Sequence, residues 1–329
     1  MPNVAIVGAT GAVGQEFLKI LSERAFPVEE LRLLATKRSA GKEIQWQGRA
    51  LQVQETTPDS FQGIDIALFA GGSASTEYAR PAVDSGAIVI DNSSSFRLDP
   101  QVPLVVPEVN PEDVAWHQGM IANPNCSTII MAVALKPILA LAGIKRVVVS
   151  TYQAVSGAGR EGIEELEAQV GAWSRGEPLV SQVFPYQIAF NLIPRIDVFG
   201  EGGYTKEEWK MVKETRKIFH LPDLAVTATT VRVPVLRSHA ESINIETERK
   251  VSIEAVRDAL AQAAGVVVLD DPAQDRYPMP WDCADQDEVF VGRIREDFSC
   301  AKGLNLWVVG DQIRKGAATN AVQIAELLL

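Results

Sequence analysis

The stretch Val4-Ala5-Ile6-Val7-Gly8-Ala9-Thr10-Gly11-Ala12-Val13-Gly14 begins three residues into the chain, and it decides the fold. Four apolar residues in succession suit a strand buried on both faces. The glycines after them suit a tight turn into a helix, and Val13, Phe17, Ile20 and Leu21 then fall at i, i+4, i+7 and i+8. Such a strand–turn–helix lets the backbone approach a pyrophosphate, whose charge the helix N-terminus stabilises. The spacing is G-x-x-G-x-x-G, a variant of the usual G-x-G-x-x-G. A plain strand-to-helix turn is the bland alternative; the strand before, the helix after and the N-terminal position favour a dinucleotide.

Outward from this unit, 31–35, 64–70 and 87–90 read as further apolar strands separated by helical patterns. Two of them end in small or polar residues, Gly71-Gly72-Ser73 and Asp91-Asn92-Ser93-Ser94-Ser95. This alternation predicts a doubly wound parallel sheet of Rossmann type, with ligands beyond the carboxyl ends of its strands. Past about residue 145 the pattern changes. Runs at 146–155, 225–236, 242–248, 289–295 and 304–309 read as strands, with helices at 161–173, 205–219 and 252–264. Strands outnumber crossover helices there, which predicts an α+β unit with a mixed or antiparallel sheet. A last amphipathic helix is expected from about residue 311, and 171–199 is too weakly patterned to assign.

The chain has 329 residues, 47% hydrophobic and 22% charged, so it is expected to be globular with two domains. Thirty-one basic against 42 acidic side chains leave a net charge of −11, which argues against a nucleic-acid or membrane-surface partner. Three cysteines are too few for a disulfide framework, and neither they nor the three histidines have metal-ligand spacing. No basic leader precedes the first strand, and the apolar run 129–144 is broken by Lys136 and Pro137. These features predict a cytoplasmic protein with no membrane span and no metal.

The turn after the second strand, Ala35-Thr36-Lys37-Arg38-Ser39-Ala40-Gly41, lacks the carboxylate that usually holds the ribose hydroxyls of NAD. A cation with hydroxyls suits the 2′-phosphate of NADP, although a solvated basic turn would look the same. Asn123-Pro124-Asn125-Cys126-Ser127-Thr128 precedes a helical run, so Cys126 falls at a helix N-terminus. Dipole and unpaired amides there favour a thiolate and can hold an oxyanion. A thiol beside a nicotinamide has a specific use: attack on an acyl phosphate gives a thioester, which hydride reduces to an aldehyde. His239, near a strand end, is a candidate acid/base, and Ser93-Ser94-Ser95-Phe96-Arg97 offers groups suited to phosphate.

Together these motifs resemble aspartate-semialdehyde dehydrogenase. The resemblance runs from Val4 to the C-terminal helix and includes Thr151-Tyr152-Gln153-Ala154-Val155-Ser156-Gly157-Ala158-Gly159, Glu207-Glu208-Trp209-Lys210 and Arg232–His239. It implies that Cys126 forms the acyl-thioester, Gln153 orients the substrate and His239 is the acid/base. It implies that Arg232 and Glu207 hold the substrate's carboxylate and amino groups, with Arg97, Asn125 and Lys210 on phosphate. Cofactor contacts would come from Gly8, Thr10, Gly11, Ala12, Val13, Arg38, Ser39, Ser156, Gly157 and Asn320, and the cofactor would be NADP. The implied architecture is a nucleotide domain of residues 1–129, joined by the helix at about 311–329, and a catalytic and dimerisation domain of 130–310 in a homodimer.

Two points qualify these expectations. Arg232 and His239 are seven residues apart, so on one regular strand they would face opposite ways; Pro234 suggests a bulge that brings both to one site. N-acetyl-glutamyl-phosphate reductase would run the same chemistry, but its acylated substrate has no ammonium to meet Glu207. A non-catalytic nucleotide-binding relative is the third possibility, and the presence of Cys126, Gln153, Arg232 and His239 together speaks against it.

Overall fold

The computed structural model describes residues 1–329, which fall into two compact units: Met1–Asn125 with Ala317–Leu329, and Cys126–Gly316. The first unit contains β1 (Val4–Val7), α1 (Ala12–Glu23), β2 (Leu31–Ala35), β3 (Glu43–Trp46), β4 (Arg49–Glu55) and β5 (Ile66–Phe69). It continues with α2 (Ser73–Asp84), β6 (Ile88–Asp91) and β7 (Met120–Ala122). Its seven-stranded sheet has the order β3-β4-β2-β1-β5-β6-β7, and every pairing is parallel except β3 with β4. Strands β1 and β5 are buried along their whole length, as their unbroken apolar runs require.

The sequence reading missed β3 and β4. Their residues are mostly polar and exposed, and they form an edge hairpin that turns through Gln47 and Gly48, both at positive φ.

The second unit begins with α3 (Cys126–Ala142) and β8 (Ile144–Gln153), then α4 (Arg160–Ser174), α5 (Lys206–Ile218), β9 (Ala225–Arg232) and β10 (His239–Thr247). It ends with α6 (Ile253–Ala261), β11 (Val266–Val268), β12 (Val289–Asp297) and β13 (Gly303–Gly310). The six-stranded sheet runs β11-β12-β13-β10-β8-β9 and is mixed: β8 with β9 and β11 with β12 are parallel, the rest antiparallel. Helix α3 lies on one face of this sheet, where a Cβ on Gly310 would sit 2.9 Å from Ile130.

Residues 175–199 carry almost no regular structure. Two side chains of α4 fix this segment instead. Gln169 accepts hydrogen bonds from the Ile188 and Ala189 amides (3.0 and 2.9 Å), and Glu165 accepts from Gln182 N–H (2.7 Å).

The final helix, α7 (Thr319–Glu326), starts later than residue 311. The Asp311 carboxylate accepts the Ile313 and Arg314 amides (2.8 and 3.0 Å), and a π-helical turn over Arg314–Ala318 follows. Val322, Ile324 and Ala325 of α7 pack into the same core as Phe17, Ile20 and Leu21 of α1. No helix is long and apolar enough to cross a membrane.

Candidate active site

Three neighbouring strands of the second unit build a row of side chains. Gln153, the last residue of β8, is directly opposite Arg232, the last of β9. On the other side of β8, Ala240 pairs with Tyr152, which sets His239 beside Gln153, and His239 itself pairs with Gly310. Directly opposed residues share a face, so Arg232, Gln153 and His239 line the α3 side of the sheet. Gly157 confirms how close they come: a Cβ there would meet Arg232 Nη1 at 2.8 Å and His239 Cε1 at 3.2 Å.

This corrects the expectation of one irregular strand. Strand β9 ends at Arg232 and β10 begins at His239, with Pro234 in the connection between them. Counting parity along a single strand did not apply.

All three are buried, at 6%, 2% and 0% exposed. His239 Nδ1 accepts the Ala154 N–H (3.1 Å). In the neutral ring the proton therefore sits on Nε2, which is buried and has no partner. Burial pushes the His239 pKa well below its ordinary 6.5, and the neighbouring Arg232 charge pushes the same way. Arg232 donates to Ala154 O (2.6 Å). Its own pKa is lowered by burial, against the opposing pull of negative charge on Cys126 and Glu207.

The Gln153 Nε2 faces three acceptors: Ser127 Oγ (3.0 Å), Thr151 Oγ1 (3.3 Å) and Glu207 Oε1 (3.3 Å). Ser127 follows Cys126, the half-exposed first residue of α3, so this amide ties the sheet row to the helix N-terminus that carries the thiol.

Helix α5 supplies Glu207 and Lys210. Thr205 caps it, accepting Glu208 N–H (3.3 Å) while Glu208 returns to Thr205 N–H (2.7 Å), a capping box. Lys210 Nζ meets Glu207 Oε2 at 3.0 Å, but Glu207 is only 5% exposed, unlike a routine surface pair. Lys210 also meets Asp197 Oδ2 at 3.1 Å, a partner that periodicity could not reveal because it lies in the unpatterned segment. Burial pulls the Lys210 pKa down, and the two carboxylates outweigh it, leaving it above 10.5.

A further residue missed from sequence is Glu241, two positions past His239 and on the same face. It is fully buried, opposite Thr151 and Val308, and neither carboxyl oxygen has a partner. Burial raises its pKa well above 4.5. A charged residue at an inward position of a strand was the available signal. Cys283 is also buried, and its thiol is pushed up to about 12 by burial.

In the first unit, Gly8 lies at φ +86°, and a Cβ on Gly14 would fall 2.2 Å from Gly8 O, so both glycines are required by the turn. Thr10, Gly11, Ala12 and Val13 follow at the start of α1, beyond the carboxyl end of β1. The Thr10 hydroxyl reaches Ser39 Oγ (3.4 Å), next to the exposed Arg38 in a short 3-10 turn after β2. Arg97 is 7% exposed, with Nε on Asn123 O (2.9 Å) and Nη2 on Asn92 O (2.8 Å), and Asn125 is 5% exposed. Asn320 is fully buried, and its amide bridges Val105 O (3.0 Å) and Asn123 Oδ1 (2.6 Å). Ser156, in the second unit, accepts a hydrogen bond from Gln312 Nε2 (2.5 Å). No group of three or more His, Cys, Asp or Glu side chains is placed to hold a metal ion.

Comparison with known proteins matches both units. A family model described as "Semialdehyde dehydrogenase, NAD binding domain" covers residues 3–117, and "Semialdehyde dehydrogenase, dimerisation domain" covers 135–315. An aspartate-semialdehyde dehydrogenase of Aquifex aeolicus is 60% identical, over 99% of this chain and 98% of that relative. The crystal structure of aspartate semialdehyde dehydrogenase II from Vibrio cholerae complexed with ASA superposes with a TM-score of 0.96 at 51% identity, covering 100% and 98% of the two chains. A Candida albicans enzyme of the same name, solved with NADP, superposes with a TM-score of 0.76 at 27% identity, covering 100% of this chain and 98% of that one.

Proposed function

The chain belongs to the aspartate-semialdehyde dehydrogenase family, and from that premise we propose that it reduces L-aspartyl-4-phosphate to L-aspartate 4-semialdehyde, with release of phosphate, using NADPH. The observation that carries this reading is the row Arg232–Gln153–His239, tied through Ser127 to the helix that begins with Cys126.

The Cys126 sulfur attacks the acyl carbon; an S–C bond forms, the C–O bond to phosphate breaks, and phosphate leaves with the electron pair. When bound, the nicotinamide supplies a hydride to the thioester carbon. Collapse of the adduct breaks the S–C bond, returns the thiolate and frees the aldehyde. His239 offers Nε2–H to the carbonyl oxygen as it gains charge; a base role at Nε2 would first require the Ala154 contact to Nδ1 to break. Gln153 orients the acyl group. Arg232 takes the substrate's α-carboxylate and Glu207 its ammonium, with Lys210 beside it. Arg97 and Asn125 would serve phosphate, within the limits that Arg97's two backbone contacts set.

The glycine turn fits a dinucleotide: Gly8 at φ +86° makes the tight turn, Gly14 lets α1 pack directly on Gly8 O, and the N-terminus of α1 faces the pyrophosphate side. Gly8, Thr10, Gly11, Ala12 and Val13 would hold the pyrophosphate side, with Ser156, Gly157 and Asn320 as further contacts. Arg38 and Ser39, with no carboxylate in the 35–41 turn, favour the 2′-phosphate and hence NADP over NAD. A cytoplasmic homodimer in lysine, threonine and methionine synthesis (and diaminopimelate where that is made) completes the proposal, supported by the family description of 135–315 as a dimerisation domain.

The test is an oxidative assay with aspartate semialdehyde, phosphate and NADP, following absorbance of the reduced cofactor. Phosphate-dependent turnover, abolished in Cys126→Ala, is expected. Turnover retained in Cys126→Ala would sink the thioester scheme. Activity only with N-acetyl-glutamate semialdehyde would overturn the substrate.

A further inference from the structure

The chain leaves β13 at Gly310 and turns through a buried corner, Asp311 to Gly316, that none of the chemistry above uses. Asp311 is fully buried. Besides the Ile313 and Arg314 amides, its carboxylate accepts Arg237 Nε (2.6 Å) and Asp285 N–H (2.8 Å). Gln312 accepts Ser238 N–H (2.8 Å) and donates to Ser156 Oγ. Ser238 is itself buried at φ +72°, a left-handed conformation that a serine holds only when its surroundings impose it. It immediately precedes His239. The strained residue that aims the histidine is thus gripped by Gln312, which also grips the loop carrying Gly157.

The other end of the corner meets the thiol. Gly316 N–H bonds to Asp311 O (3.0 Å), the wide turn of a π-helix. A Cβ on Gly316 would lie 2.9 Å from Cys126 Cβ and 3.3 Å from its Cα. Backbone alone therefore fits against Cys126, and the π turn presents it.

We propose that the corner Asp311 to Gly316 is a positioning element for both reactive groups: Gln312 sets the start of β10 and so the aim of His239, and Gly316 sets the clearance beside Cys126. This rests on the catalytic reading of Cys126 and His239 given above. It adds that one short segment registers the two side chains through separate contacts.

Two substitutions test it in the full-length enzyme. In Gly316→Ala the new methyl must displace Cys126. Alkylation of Cys126 by iodoacetamide without cofactor, read by peptide mass spectrometry, is expected to slow about tenfold. Alkylation of Cys300 is expected to stay unchanged, and kcat should fall about a hundredfold with KM for aspartate semialdehyde little altered. Unchanged Cys126 alkylation and kcat would overturn the Gly316 half. In Gln312→Ala, kcat is expected to fall more than KM changes. Gln312→Glu keeps an acceptor for Ser238 N–H and for the Ser156 hydroxyl, and should restore most of kcat. Equal loss in both would overturn the Gln312 half, and this pair decides the matter if Gly316→Ala does not fold. Turnover surviving in Cys126→Ala would refute the catalytic reading instead, a result distinct from either.

Discussion

Replacing Arg232 by Met removes a charge from the row Arg232–Gln153–His239 while keeping most of the side-chain volume. The residue is 6% exposed, so solvent screens little of its charge. Losing one partner of a desolvated charge pair costs about 2–5 kcal/mol, and at about 1.4 kcal/mol per decade KM for aspartate semialdehyde should rise roughly 30-fold to several thousandfold. The lost Arg232–Ala154 hydrogen bond contributes about 1 kcal/mol more, through the strand end rather than the substrate.

A second signature separates the charge from the packing. His239 is held below 6.5 first by burial and then by the Arg232 charge. Without that charge its pKa rises, imidazolium accumulates at higher pH, and the acid limb of kcat moves up in pH. Arg232→Lys keeps the charge but loses the fork, so KM should still rise while the limb stays put. Initial rates of NADP reduction from pH 5 to 9 would measure both. A KM change below about threefold, or an acid limb that moves down in the Met variant, would refute the reasoning.

Three further outcomes are expected. Glu241→Met removes an unpaired buried carboxyl that costs about 1–3 kcal/mol, which at about 2–4 °C per kcal/mol raises Tm by several degrees. Because the folded pKa of Glu241 lies above 4.5, the wild-type protein loses stability as pH rises from 4.5 through that raised pKa, so the variant's advantage must grow from pH 5 to pH 8 in thermal melts. Arg38→Ala should raise KM for NADP about tenfold or more and leave KM for NAD nearly unchanged; equal effects on both would remove the 2′-phosphate argument. Gly14→Ala, whose methyl would fall 2.2 Å from Gly8 O, should destabilise the protein by more than about 2 kcal/mol and weaken cofactor binding, as read by melting and by titration of nucleotide fluorescence.

The sequence was most legible where one physical demand governs several consecutive residues. Val4–Val7 is buried on both faces and could be read as such, and the glycine turn follows from sterics that no other residue meets. Thr205 and Ser252 marked helix starts because their hydroxyls cap them. Legibility failed where long-range partners replace periodicity. The 175–199 segment depends on Glu165 and Gln169, and Lys210's second carboxylate, Asp197, sits inside it. Arg232 and His239 could be named as site residues, but the register that unites them belongs to β8, at Tyr152 and Gln153, far earlier in the chain. The π turn before α7 was hidden because Asp311 looks like an ordinary helix-starting residue until its four donors are seen.

The first unit is interrupted. Its last element, α7, completes a core begun by α1, and the whole of Cys126–Gly316 lies between them in sequence. During synthesis at about 5–20 residues per second, roughly 10–40 s separate the emergence of β7 from that of α7. Throughout that interval Phe17, Ile20 and Leu21 lack the helix that covers them, whereas the second unit is already a continuous piece of chain with its two ends side by side at Cys126 and Gly316. The order of birth is therefore the reverse of the order of sequence: the unit encoded second is the first able to close, and a nascent chain truncated before Ala317 presents an apolar seam to whatever it meets.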